Sequence, residues 1–521
     1  MIDLPALAQA CGLLLSDWRP WVVVPPGLLI GLVFGAIPGL SAPIAMAVFL
    51  PLTMSMDFLP AIMFLTSVFT GGGFGGAVPA VLMNVPGTSA AVATTFDGYP
   101  MARQGHHSRA LGLALAASCF GAALGYVLLL LLVDPIAEAV LLLGPLEMFA
   151  IAAWGLTLIA VLNEGSFAKG LLAGILGVVI GMIGMSARGD MRGTLGMLAL
   201  IDGIPRIPAL IGFFAASEMF RLMRNDFLVA DAAHRRPQFG AILRGLREAF
   251  AYPGTLLRGS LIGVGVGAIP GVGAAVANLL SYAETKRRAA DPAHYGRGEP
   301  RGVVASESAN SSSEGGSMAT LLALGIPGGS ATAVMLGAFA MHNVTGGPRF
   351  IAENKDIVYA IILGNLAQVV LLLGIGTLFL FGAAALVRIP VRFLVPSVLV
   401  LALLGCYSIT GTMAGPVTMV ACAGLGYWMR QNGYPVAAVV IGLLLGPAAE
   451  AELLRSIQIS GGDPSFILTR PIAMVILLLL AASLLYPLLR RRGTRRGGGT
   501  ARAAPEAKPL VRRDEARNES A

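Results

Sequence analysis

Long apolar runs alternate along the chain with short polar or basic stretches. Runs free or nearly free of charge occupy residues 110–133, 139–162, 170–185, 357–386, 393–406 and 472–489. Several reach the roughly 20 residues that a helix needs to cross the hydrocarbon core of a bilayer. The pattern predicts an all-α polytopic membrane protein, with about 11 to 12 transmembrane or re-entrant helices.

Composition points the same way. With 56% hydrophobic and 12% charged residues and a mean hydropathy of +0.78, the chain has too little polar surface to cover 521 residues in water. The segment before Trp18 has neither a basic n-region nor a small-residue cleavage site, so no removable signal peptide is expected. Cys11, Cys119, Cys406 and Cys422 have no CxxC spacing and read as small packing residues.

The apolar pattern is interrupted in a way that repeats. GLLIGLVFGAIPG at 27–39 returns as GSLIGVGVGAIPG at 259–271, identical at nine of thirteen positions. NVPGTSAA at 84–91 is followed in the same way by GIPGGSAT at 325–332. The copies lie 232 and 241 residues apart, so the repeat unit is half the chain and short solenoid repeats are excluded. In a membrane protein, paired Gly/Pro-interrupted segments point to a carrier with its site at the repeat interface.

The net charge of +8 sits in loops and the tail, which makes it an orientation signal and not a nucleic-acid footprint. Residues 53–60, after the first AIPG, carry no Lys or Arg, whereas 284–301, after the second, read ETKRRAADPAHYGRGEPR. Equivalent loops therefore face opposite sides, which predicts two inverted-topology repeats. Basic loops on both sides of the second AIPG suggest that it dips in and returns. The expected division is repeat 1 at 1–225, a cytoplasmic linker at 226–250, repeat 2 with an extra C-terminal span at 251–489, and a disordered, cytoplasmic basic tail at 490–521.

Proline inside a span removes a backbone donor and clashes with the preceding turn, and a neighbouring glycine loosens the backbone further. Gly35, Pro38 and Gly39 in the first half, and Gly267, Pro270 and Gly271 in the second, are the expected helix breaks. Broken backbone survives at membrane depth only if buried in protein or lining water. A half-helix N-terminus presents free N–H groups that suit a carboxylate, while unwound carbonyls suit a cation. Ser41, Thr88, Ser89, Ser330 and Thr332 stand where they can cap a half-helix or bind a ligand. The four breaks are expected to meet around one cavity, and the glycines of TGGGFGGA at 70–77 serve either tight packing or a ligand-facing backbone.

The most polar stretch at membrane depth is ASESANSSSEGGS, 305–317. On a continuous helix Glu307 and Glu314 share a face, with Asn310, Ser311 and Ser313 nearby. Intramembrane carboxylates point to function; the competing reading is the exposed end of a loop. A buried carboxylate repels an anionic substrate unless a cation or proton neutralises it, so Glu307, Asn310 and Ser311 are assigned to ion coupling. Substrate carboxylates are assigned to the backbone at Gly87–Ser89 and Gly328–Ser330, with Asn84. Asp97 reads as the end of a helix at a cytoplasmic turn. The five histidines show no metal-ligand spacing, and no metal site is expected.

GAIPGLSAP, the run GGAVPAVLMNVPGTSAAVATTFDGYPMARQG at 75–105, and ESAN followed by LLALGIPGGSATAVMLGA at 321–338 together resemble the large membrane subunit of the tripartite tricarboxylate transporters, TctA-like. The resemblance covers nearly the whole chain up to the basic tail. It implies a many-helix secondary carrier in the bacterial cytoplasmic (inner) membrane that works with a small four-helix membrane subunit and an extracytoplasmic solute-binding protein delivering an organic acid. It assigns site roles to Asn84, Pro86, Gly87, Thr88 and Ser89, and to Glu307, Asn310, Pro327, Gly328 and Ser330. Where the family commonly has two adjacent asparagines this chain has Asn310 and Ser311, and Phe74 stands where a tyrosine is usual.

The expected function is therefore import of di- or tricarboxylates driven by an ion gradient, sodium or proton, with no other cofactor. No GxxxxGK[ST] is present for a primary pump. The alternatives are an intramembrane enzyme, for which no spaced nucleophile and base are evident, and a passive channel or scaffold subunit.

Overall fold

The computed structural model describes residues 3–38, 40–162, 167–186, 189–197, 200–222, 238–386 and 391–494. Gly39 of the first break, positions 226–237 of the expected linker and 495–521 of the expected tail lie outside the described residues. The described chain is helical apart from a two-stranded antiparallel ribbon, Gly184–Met185 paired with Met191–Arg192, which the apolar pattern does not predict. Five helices are long and apolar enough to cross a membrane among the described residues, in keeping with a polytopic membrane protein.

In the first half, α1 (Leu4–Ser16) and α2 (Arg19–Ala36) lead to the first break, followed by α3 (Ala42–Phe49), α4 (Phe58–Gly75), α5 (Ala77–Met83), α6 (Val92–Met101) and the 35-residue α7 (His107–Leu141). α7 absorbs the start of the second apolar run, and α8 begins only at Pro145 (Pro145–Leu162). α9 (Phe167–Gly181), α10 (Arg206–Ile211) and α11 (Ser217–Leu222) follow. In the second half come α12 (Phe239–Ala249), α13 (Pro253–Gly267), α14 (Gly273–Arg287), α15 (Pro300–Leu324), α16 (Ser330–Met341) and α17 (Pro348–Glu353). α18 (Lys355–Leu386), α19 (Val391–Thr410), α20 (Ala414–Gln431), α21 (Val436–Ile459) and α22 (Pro471–Thr494) complete it. The last helix thus runs past residue 490, where the tail was expected to start.

The AIPG segments end helices, unlike Pro25 and Pro26, which α2 accommodates in its interior. α2 stops at Ala36, and Ile37, ahead of Pro38, is extended (φ −95°, ψ 112°). α13 stops at Gly267, and the chain passes Pro270 with Gly271 and Gly273 at positive φ before α14 starts. Both glycine stripes bring backbones together. A side chain at Gly27, Gly31 or Gly35 would meet the carbonyl of Phe64, Val68 or Gly72 on α4. One at Gly259, Gly263 or Gly267 would meet that of Ala305, Ala309 or Ser313 on α15. Every partner in the second set lies 241 residues after its counterpart in the first.

These contacts also fix direction. α2 runs parallel to α4, and α13 parallel to α15. α4 and α15 are themselves antiparallel, since Thr70 meets Glu314 while Gly73 meets Asn310. α3 returns along α4, its Ala42 beside Gly72 and its Phe49 beside Phe64. α14 returns along α15, Ser281 donating to the Ala305 carbonyl at 2.7 Å. The two broken hairpins therefore enter the protein from opposite ends.

The basic segments gather at one end. Gln104 donates to the Arg297 carbonyl at 2.8 Å, Arg109 pairs with Glu248 on the amphipathic α12, and Arg301 lies over the Tyr252 ring. Asp97 belongs here too, but it does not end a helix. It is fully buried in α6, and its Oδ1 accepts the N–H groups of Gly296, Gly298 and Glu299 at 2.8–2.9 Å. Tyr282 donates to Oδ2 at 2.9 Å. The turn expected at Asp97 comes instead at Gly105 (φ 86°), two residues before α7 begins. At the other end stand Arg19 with Asp57, Lys355 with Asp3 and Asp134, and Arg192 with Glu450.

Candidate functional site

A cavity of ≈ 260 Å³ lies where the four breaks meet. Its wall contains the residues that follow each one: Ser41–Pro43, Thr88–Ala90, Gly271–Ala275 and Gly329–Thr332. α4 adds Gly72 and Gly73, and α15 adds Asn310, Ser313 and Ser317. Gly71 and Gly75, in the same glycine run, pack on Leu28 and Leu32 of α2 instead. The run therefore serves both tight packing and the cavity wall.

The N-termini of α3, α14 and α16 and the turn that leads into α6 open onto this space. First-turn N–H groups lack intrahelical partners and carry the positive end of the helix dipole. Ser41 and Thr88 make no capping bond from their side chains, and the buried Thr88 hydroxyl has no partner among the described residues. Thr332 is the exception, accepting from the Gly329 N–H at 3.0 Å. No Lys, Arg, His, Asp or Glu is among the described residues of the wall. The site offers amide donors and hydroxyls without a formal charge, a chemistry suited to anions small enough to be gripped by backbone.

Behind the wall the two halves are built alike. A side chain on Gly87 would strike the carbonyl of Gly35, and one on Gly328 that of Gly267. α5 ends on Asn84 with left-handed backbone, and α15 ends on Gly325 in the same conformation. Both turns then lead through Pro86 or Pro327 back to the cavity.

The polar run 305–317 is the middle of α15, buried throughout, which rules out the loop-end reading. Glu307 is fully buried and accepts the hydroxyls of Thr94 on α6 and, at 3.0 Å, of Ser118 on α7. Glu314 accepts those of Thr70 on α4 at 2.5 Å and Tyr126 on α7 at 2.6 Å. Asn310, between them, donates to the Gly73 carbonyl at 3.1 Å. Both carboxylates of the second half are thus held by hydroxyls of the first.

Of the residues singled out by sequence, Ser41, Thr88, Ser89, Gly271, Asn310, Ser313, Gly329, Ser330 and Thr332 line the cavity. Gly35, Gly87, Gly267 and Gly328 form its backing, with Pro38 and Pro270 in the turns. Glu307 and Ser311 are buried outside the wall, and Asn84 is exposed, away from it. Sequence reasoning missed Thr70, Thr94, Ser118 and Tyr126, and missed Ala437 and Ile441 of α21 in the wall. Ser118 and Tyr126, eight apart within an apolar run, carried a helical-face signal; Ala437 and Ile441 carried none.

Residues 22–441 match the family described as the tripartite tricarboxylate transporter TctA family. The chain is 31% identical over 452 residues to an uncharacterized 52.8 kDa protein in the TAR-I ttuC' 3' region of Agrobacterium vitis, covering 86% of this chain and 89% of that one. It is 35% identical over 219 residues to an uncharacterized protein in the TAR-II ttuC' 3' region of the same organism, covering 41% and 87%. No solved structure matches.

Proposed function

The chain belongs to the tripartite tricarboxylate transporter TctA family, a family of transporters and not of enzymes, and from that premise we propose that it imports an organic di- or tricarboxylate through the cavity between its broken helices. Membership implies a tripartite system and a carboxylate substrate. In this reading a solute-binding protein delivers the substrate on the outer face, a small four-helix subunit completes the membrane complex, and an ion gradient drives uptake. The end bearing Arg109, Arg297 and Arg301 faces the cytoplasm of a bacterial inner membrane, as positive charge favours.

The observation that carries this reading is the convergence of four break motifs, two from each half, on one uncharged, amide-rich cavity. Substrate carboxylates sit against the backbone at Thr88, Ser89, Gly329 and Ser330. The matched glycine stripes and the opposed entry of the two hairpins support an inverted-topology repeat, the arrangement used for alternating access. Glu307 serves coupling and not substrate recognition, since a carboxylate beside an anion is repulsive until neutralised.

Uptake of labelled carboxylates by proteoliposomes, with and without ion gradients and the binding protein, tests the reading. Gradient-dependent accumulation is expected, with Glu307→Gln weakening accumulation more than apparent affinity. Uptake that equilibrates without regard to any gradient would make the protein a passive channel.

A further inference from the structure

α15 carries a second interior carboxylate to which no role has been given. Glu314 is 3% exposed, and both hydroxyls that reach it, from Thr70 and Tyr126, go to Oε1. Asn310, one turn earlier on the same helix, and Ser317, one turn later, line the cavity, so Glu314 stands one helical turn from the wall on either side.

Its surroundings contain no compensating charge. α4 has no ionisable residue from Phe58 to Gly75. α7 contributes Tyr126 itself and the buried Cys119 thiol; its His107, Arg109, Asp134 and Glu138 lie two or more turns from Tyr126 along the helix, and Glu307 lies two turns away on α15 itself. The charged groups of α6, α13 and α14, such as Asp97, Arg258 and Glu284, lie toward the Pro300 end of α15. Arg349 and Glu353 of α17 are exposed and pair with each other beyond its Leu324 end. No base pairs with Glu314 among the described residues.

At 2.5 and 2.6 Å the hydroxyls of Thr70 and Tyr126 direct their own hydrogens at Oε1, which leaves Oε2 as the oxygen free to take up a proton. Burial without a base works against the charged form, and two hydroxyl donors work for it, so both forms are within reach.

We propose that Glu314, held by Tyr126 and Thr70, is a proton-binding site that loads and unloads during the transport cycle, making H⁺ a coupling ion. Loading converts the carboxylate to the neutral acid: the proton goes to Oε2 while Oε1 keeps its two hydroxyl donors. The coupling role rests on the transporter reading above; the proton site does not.

The test is infrared difference spectroscopy of the purified full chain in lipid nanodiscs, without substrate, from about pH 5 to about pH 9. The expected result is a carboxylic-acid C=O band that grows as pH falls, disappears in Glu314→Gln and persists in Glu307→Gln. Tyr126→Phe, which keeps the ring and removes one donor, shifts the band to higher frequency. A wild-type spectrum matching that of Glu314→Gln across the range, or a band insensitive to pH, overturns the proposal. A titrating band in a protein that moves no carboxylate would sink the transporter reading and leave the proton site standing.

Discussion

Asn84 and Gly325 hold the same left-handed backbone, φ 58°, ψ 25° and φ 67°, ψ 18°, at positions 241 apart. Each ends the helix that precedes a PG turn. Asparagine is the residue other than glycine that most readily takes this conformation, so one exposed side chain does the backbone work of a glycine.

Asn84→Gly is therefore expected to leave stability and uptake close to wild type. Asn84→Val, which cannot take the left-handed conformation without strain, is expected to lose about 1–2 kcal/mol in denaturation measured in micelles. A large uptake defect in Asn84→Gly with unchanged stability would restore a binding role to the side chain.

The glycine stripe makes a paired prediction within one helix. A methyl at Gly263 meets the Ala309 carbonyl, whereas one at Gly265 meets nothing within 4 Å. Gly263→Ala is expected to lower stability by about 1–3 kcal/mol, and Gly265→Ala to raise it by roughly 0.5–1 kcal/mol. Thermal unfolding of the two variants side by side checks both signs.

Asp97 anchors three amides and a tyrosine across the two halves. Asp97→Asn keeps an acceptor at Oδ1 and is expected to fold. Asp97→Ala removes the acceptor of three amides and of the buried Tyr282 hydroxyl, whose orphaning alone costs about 1–3 kcal/mol, so its loss of folded protein should be far greater. Fluorescence-detected size exclusion separates the two outcomes.

On α12, outside the spanning helices, hydrogen bonding to Arg109 holds the Glu248 carboxyl below the usual carboxylate range. The folded protein thus binds this proton less readily than the unfolded chain. The pair's stabilisation is present above the unfolded value of about 4.3 and is lost as pH falls through the lower folded one. Wild type should be more stable than Glu248→Gln at neutral pH, with the gap closing below about pH 4.

The sequence made the broken helices legible because proline stands beside glycine in each AIPG: α2 runs through Pro25 and Pro26 but stops before Pro38 and Gly39, and α13 stops before Pro270 and Gly271. It marked Asn310, Thr88, Ser89 and Ser330 because polar residues next to such breaks are conspicuous in an apolar chain. What it left out needed the third dimension. Tyr126 and Thr70 look like ordinary members of apolar runs until α4 and α7 are packed on α15. Asp97, a turn residue by local pattern, is claimed by amides some 200 positions away.

The most direct measurement is protection of single cysteines from alkylation, in a background where the four native cysteines are replaced. Ser89→Cys and Ser330→Cys place a thiol on the cavity wall from each half. If both line one carboxylate site, citrate or a related di- or tricarboxylate should protect both, with the same half-effective concentration. Protection of one alone, or of neither by any organic carboxylate tested, would contradict a shared site between the halves.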